Sequence, residues 1–173
     1  MSIADIAVTL PLPDGWSQDW EVNEGQRVQA FRPPPPAPGV LRVLTDSIAA
    51  AGVDPGSVAV KLREIAVRFV RPDDARVFDR LIEDRPAGGL IATAALIAAQ
   101  DDGREETHYL WMVAEPGDGA TVIAAMAALA LPRDADGDPL AAQVAEAADA
   151  ALRAASLIRV NDRKGSCGTC CGG

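Results

Sequence analysis

The chain has 173 residues, of which 49% are apolar, 24% charged and only 4% aromatic, with a net charge of −9. That length fits one domain with an appendage and is enough to bury a core without disulfide staples. The charge argues against nucleic acid as a partner, because counterion release needs a basic patch and no lysine or arginine run is present. It also argues against docking on an anionic membrane. The expected partner is therefore a protein, not nucleic acid or membrane.

The start, "MSIADIAVTLPLPDGW", has no basic leader region, carries Asp5 and reaches Pro11 early. It does not read as a signal peptide, and the expected location is the cytoplasm, where thiols stay reduced. Alternation predicts a first strand, with Ile6, Val8 and Leu10 on one face. "WSQDWEVNEGQRVQAFRPP" predicts two strands that turn at Glu24-Gly25. In the second, Val28 and Ala30 share one face and Arg27, Gln29 and Phe31 the other. Pro33 to Gly39, "PPPPAPG", predicts either a polyproline II rod that could dock in an aromatic groove or a stiff surface loop. Its place inside the domain favours the loop.

"GVLRVLTDSI" is a further strand, with Val40, Arg42 and Leu44 opposed to Leu41, Val43 and Thr45. "DPGSVAVKLREIAVRFV" predicts a helix that Asp54 caps, with Pro55 in its first turn. Val58, Leu62, Ile65 and Phe69 make its apolar stripe. "ARVFDRLIEDRPAGG" reads as a strand whose charges interrupt the alternation unevenly. "GLIATAALIAAQ", "HYLWMVAE" and "ATVIAAMAALALP" are apolar on both faces. Their alanines favour helix by propensity. The turn clusters "AQDDGREE" and "AEPGDGA" favour an antiparallel meander of covered strands, which is the reading adopted.

"DPLAAQVAEAADAALRAASLIRV" predicts a closing helix opened by Asp138-Pro139. Leu140, Val144, Ala147, Ala151 and Leu152 form its buried face, with Ala148 and Ala155 beside them and Glu146 and Asp149 on the other side. The expected class is α+β: an antiparallel sheet of about seven strands, sandwiched between helices, over residues 1–160. Residues 161–173, "NDRKGSCGTCCGG", offer nothing to bury and predict a flexible tail.

The sequence of pieces resembles the PsbP-like sandwich group, which includes the DcrB-like proteins. "LPDGW" after a first strand, "GVLRVLTDSI" before a helix, the meander ending in "HYLWMVAE" and the closing "LRAASLI" carry the resemblance over residues 3–160. It implies non-enzymatic work: binding modules, assembly factors and, in the cytoplasmic EagR chaperones of type VI secretion, holders of apolar effector segments. Many relatives are exported and lipid-anchored, a signal this chain is read as lacking. The tail is not part of the family pattern.

All three cysteines lie in that tail. Cys167 and Cys170 have C-x-x-C spacing, and Cys171 adds a third thiol. Such a set suits copper(I), or zinc with a fourth ligand from His108, a second chain or water. The spacing also suits thiol exchange, although the tail lacks the helix N-terminus that lowers a thiol pKa. A third reading makes the domain a leader or carrier whose cysteines are enzymatically modified. Gly172-Gly173 resembles the end of ubiquitin-like sulfur carriers.

Trp16 and Trp20 are candidate partner-binding residues beside the sheet edge, with core packing as the plainer alternative for both and for Trp111. The pairs Asp101-Asp102 and Glu105-Glu106 flank a glycine turn and read as a solvated hairpin. "DADGDP", Asp134 to Pro139, resembles the start of a calcium loop, but the chain enters a helix where further ligands belong. One histidine cannot build a hydrolytic triad, and no phosphate loop is present. The sequence therefore predicts a protein-binding domain, not an enzyme, with a thiol tail that binds soft metal or forms thiol links. An EagR-like chaperone and a modified carrier are the alternatives.

Overall fold

The computed structural model describes residues 5–49, 54–86, 88–118 and 121–160. Nine strands and two helices follow one another: β1 (Asp5–Thr9), β2 (Ser17–Asn23), β3 (Gln26–Arg32), β4 (Leu41–Ala49), α1 (Val58–Phe69), β5 (Val77–Asp84), β6 (Leu90–Ala99), β7 (Glu105–Pro116), β8 (Thr121–Pro132), α2 (Pro139–Arg153) and β9 (Ser156–Val160). Seven strands form one sheet in the order β2-β3-β4-β8-β7-β6-β5, with every neighbour antiparallel. The class is α+β, as the punctuation of the sequence implies.

The alanine-rich runs are the centre of this sheet. β6, β7 and β8 each bury residues of both parities, so neither face alternates with solvent. Helix propensity loses here because ladder pairing and burial on two sides outweigh a few tenths of a kcal/mol per alanine. Small side chains also let helices approach both faces. Val58, Leu62 and Ala66 of α1 join Leu90, Ala92, Met112 and Ala124 on one side. Val144, Ala148 and Leu152 of α2 join Phe31, Leu41, Trp111 and Leu129 on the other.

Three expectations need correction. The closing helix stops at Arg153, and Ser156–Val160 is strand β9, which pairs antiparallel with β1 in a sheet of its own. Arg85, its side chain 3% exposed and 3.6 Å from Glu115, donates to the carbonyls of Arg153 and Ala155 and so ties down the helix end. Leu140, placed by periodicity on the inner face, is 37% exposed, while Ala141 is buried instead. Asp149 does not face solvent alone: its Oδ1 accepts a 2.9 Å bond from Nε1 of Trp111.

The proline stretch is a turn, not a rod, with the amide of Ala37 bonding the carbonyl of Pro34 at 3.1 Å. The uneven charges of β5 have a cause as well. Its register shifts between Phe78 and Leu81, and Asp79 takes a φ of 50° in the bulge. Asp54 accepts from the amides of Gly56 and Ser57, capping the single 3₁₀ turn (Pro55–Ser57) that leads into α1.

Candidate ligand-binding groove

The two faces of the sheet are covered unequally. Six inter-strand steps make a seven-stranded sheet about 29 Å wide, whereas one helix is about 10 Å across. On the α2 side, β1 and β9 supply extra cover: Val8 and Leu157 pack on the core, and Gln29 exchanges bonds with Val8 through its side-chain amide. On the opposite side, among the described residues, α1 alone lies over β6, β7 and the start of β8. The remainder of that face is an open groove of about 590 Å³.

Its floor is apolar. Leu44 of β4, Leu110 of β7, and Met126 and Ala128 of β8 are half-buried there, with Val28 and Met112 buried beneath. Ile65 and Phe69 of α1 form one wall. The turn between β2 and β3 closes the end with Asn23, Glu24 and Gln26. Glu24 has a φ of 49° and Gly25 one of 80°, the left-handed pair a two-residue hairpin turn requires.

Three arginines border this floor: Arg42, Arg68 and Arg71. Arg42 is neutralised by Glu21, whose Oε2 lies 2.7 Å from its Nε and which also takes a bond from Arg32. The hydrogen bond from Arg42 leads in holding the Glu21 carboxyl below its ordinary range, and the charges of Arg42 and Arg32 add to it. Arg68 pairs with no carboxylate among the described residues. Arg71 follows the helix with a φ of 48°. The charge of Arg71 acts on Asp74, but that carboxylate is bonded by Arg76 at 2.7 Å, which leads in pushing it far below its usual range, with Arg71 a lesser cause. Arg80 fixes this corner by donating to the carbonyls of Val70, Arg71 and Asp74, at 3.0, 3.2 and 2.6 Å. A cation at a helix C-terminus is favoured by the orphan carbonyls and the dipole.

Two other hollows differ in kind. One of about 690 Å³ lies beside residues 71–76, where Asp74 and Arg76 bind each other. Another, of about 330 Å³, lies between α2 and the sheet, against Tyr109 and Trp111, whose rings stack at 6.3 Å.

The residues singled out in the sequence do not converge on the groove. Trp16 is half-buried against the core on the α2 side. Trp20 is 42% exposed on the edge strand β2, with the guanidinium of Arg27 over its ring at 4.2 Å. Glu106 accepts from Gln100 and lies 3.0 Å from Nε2 of His108. Asp138 is spent on capping α2 through the amide of Leu140. Cys167, Cys170 and Cys171 lie outside the described residues. Among the described residues no group of three or more histidine, cysteine or acidic side chains could hold a metal ion. No helix among them is long and apolar enough to cross a membrane.

The groove itself escaped sequence reasoning. Its signal is present in hindsight: Leu44, Leu110, Met126 and Ala128 are apolar residues on the face that the single early helix must cover.

No protein-family model matches the chain. No curated protein matches it in sequence. Among solved structures it is similar to LpqN, a protein involved in cell envelope biogenesis of Mycobacterium tuberculosis, with a TM-score of 0.60 over 89% of this chain and 84% of that one. At 13% identity this likeness shows a related α/β fold.

Proposed function

We propose that this domain is a binding module of the PsbP-like/DcrB-like kind that holds an apolar segment of a protein partner in the groove beside α1. The observation that carries the reading is the part of the sheet that no described residue covers, where Leu44, Leu110, Met126 and Ala128 line the groove together. Burying such a floor contributes roughly 25 cal/mol per Å² of apolar area, from which the cost of association and of ordering the segment is subtracted. Met126, half-buried on the floor, gives it an adaptable surface that accepts more than one side-chain shape. This is the work of a chaperone or assembly factor, and it needs no chemistry from the domain. The net charge of −9 supports a protein partner over nucleic acid or an anionic membrane.

Calorimetric titration with an apolar peptide of about twelve residues, long enough for about three helical turns, tests this reading. Binding should occur and be lost in Met126→Glu, which puts a charge on the floor. Unchanged binding in that folded variant would remove the groove as the seat.

A second role rests on the clustering of all three cysteines at Cys167, Cys170 and Cys171. As a proposal, the tail binds copper(I) or zinc. Intact mass under native conditions should show a metal increment that disappears when the three become serine, with peptide binding unaffected. A covalent shift on the tail would make it a modification substrate instead.

A further inference from the structure

We propose that the segment held in the groove carries acidic residues beside its apolar ones, and that Arg68 and Arg71 select it. The inference rests on the groove reading and adds the chemistry of the occupant. Residues 58–71, "VAVKLREIAVRFVR", hold Lys61, Arg63, Arg68 and Arg71 against one carboxylate, Glu64, in a chain whose net charge is −9. The basic island is therefore local, and it borders the apolar floor.

Within the island, Lys61 is engaged by Glu64 at 3.1 Å. Arg42, across the groove, is engaged by Glu21. Arg63, Arg68 and Arg71 remain without an ion pair among the described residues, and of these Arg68 and Arg71, at the C-terminal end of α1, line the groove. Asp74 is claimed by Arg76. Among the described residues Glu24 is the one carboxylate that lines the groove, and it lies on the β2–β3 turn. A guanidinium beside an apolar surface is best satisfied by a carboxylate, which its planar fork grips through two parallel bonds. A basic segment would meet two cations at the α1 end, and the spare counter-charge, Glu24, lies away from them on the β2–β3 turn. An apolar segment ending in aspartate or glutamate matches both halves of the site, with its acidic end over α1.

Three labelled peptides of about twelve residues separate the possibilities: one apolar core ending in two aspartates, two asparagines or two lysines. Affinity is read by fluorescence anisotropy at low and high salt. The aspartate peptide should bind about tenfold tighter than the asparagine one and more tightly still than the lysine one. Salt should narrow the gap. Arg68→Gln/Arg71→Gln should remove the preference while circular dichroism stays unchanged. Equal binding of the three peptides would overturn the acidic selection and leave the groove reading standing. Binding of none would overturn both. Binding of dodecanoate with no peptide binding would overturn both in favour of an acyl-chain site.

Discussion

Gly89 shows how closely the backbones approach at the β5–β6 turn. Its φ is 77°, and a Cβ there would sit 2.2 Å from the carbonyl oxygen of Ala114. Gly89→Ala should destabilise by more than about 2 kcal/mol in urea titration, since strain and collision act together. Trp111 gives a graded case. It is buried, stacked on Tyr109 and bonded to Asp149. Trp111→Phe removes the donor and part of the buried ring volume and should cost about 1–3 kcal/mol, whereas Trp111→Ala opens a larger cavity and should cost about 3–5 kcal/mol by thermal or urea unfolding. The Trp111–Asp149 pair was invisible in the sequence, because helical periodicity assigns a charge to the outer face and says nothing of a donor 38 positions away. The caps were legible, since Asp54 and Asp138 act within three residues of themselves.

At the scale of elements, local rules served wherever the deciding contacts are local. Hairpin punctuation placed β2, β3, β6, β7 and β8, and proline after aspartate opened both helical segments. Asp138→Ala removes the bond to the amide of Leu140 and should cost about 1 kcal/mol. Loss of helical signal at the α2 end in the far-ultraviolet spectrum should accompany it. Strand β9 was not legible because its pairing partner, β1, lies at the other end of the chain. "LRAASLIRV" continues a helical pattern until a distant strand claims its backbone groups. The bulge in β5 was half legible: the broken alternation was visible, while the positive φ of Asp79 that restores pairing was not. Whether a covered run of alanines is strand or helix depends on what covers it, and the turns on either side were the available guide.

For the whole molecule, acid sensitivity follows from the carboxylates of Glu21, Asp54 and Asp74, each held below its ordinary range in the folded state. For Glu21 the first cause is the bond from Arg42, for Asp54 the bond from Ser57, and for Asp74 the bonds from Arg76. A lowered folded value stabilises the fold above the unfolded carboxylate range and loses that contribution as pH falls through the lowered value. The urea midpoint should therefore stay level from pH 7 to about 5 and decline below about pH 4. Asp74→Asn should flatten part of the decline. The sandwich class was legible because two amphipathic helices and a run of doubly apolar strands permit few layerings. The groove was not, since it arises from unequal cover: α2 works with the β1–β9 pair, while α1 works alone.

That pair has a mechanical consequence. Asp5 stands opposite Val160 at its outer end, and Thr9 opposite Ser156 at its inner end. Tension applied through the two ends of the domain loads this clasp one rung at a time, as in a zipper, and does not shear all its hydrogen bonds together. The first yielding event under load should therefore be a low-force opening of β1 from β9. β1 then stays tied to the seven-stranded sheet by Gln29, which bonds both backbone groups of Val8, and by Thr45, which donates to the carbonyl of Ile6, so the load passes next to β3 and β4.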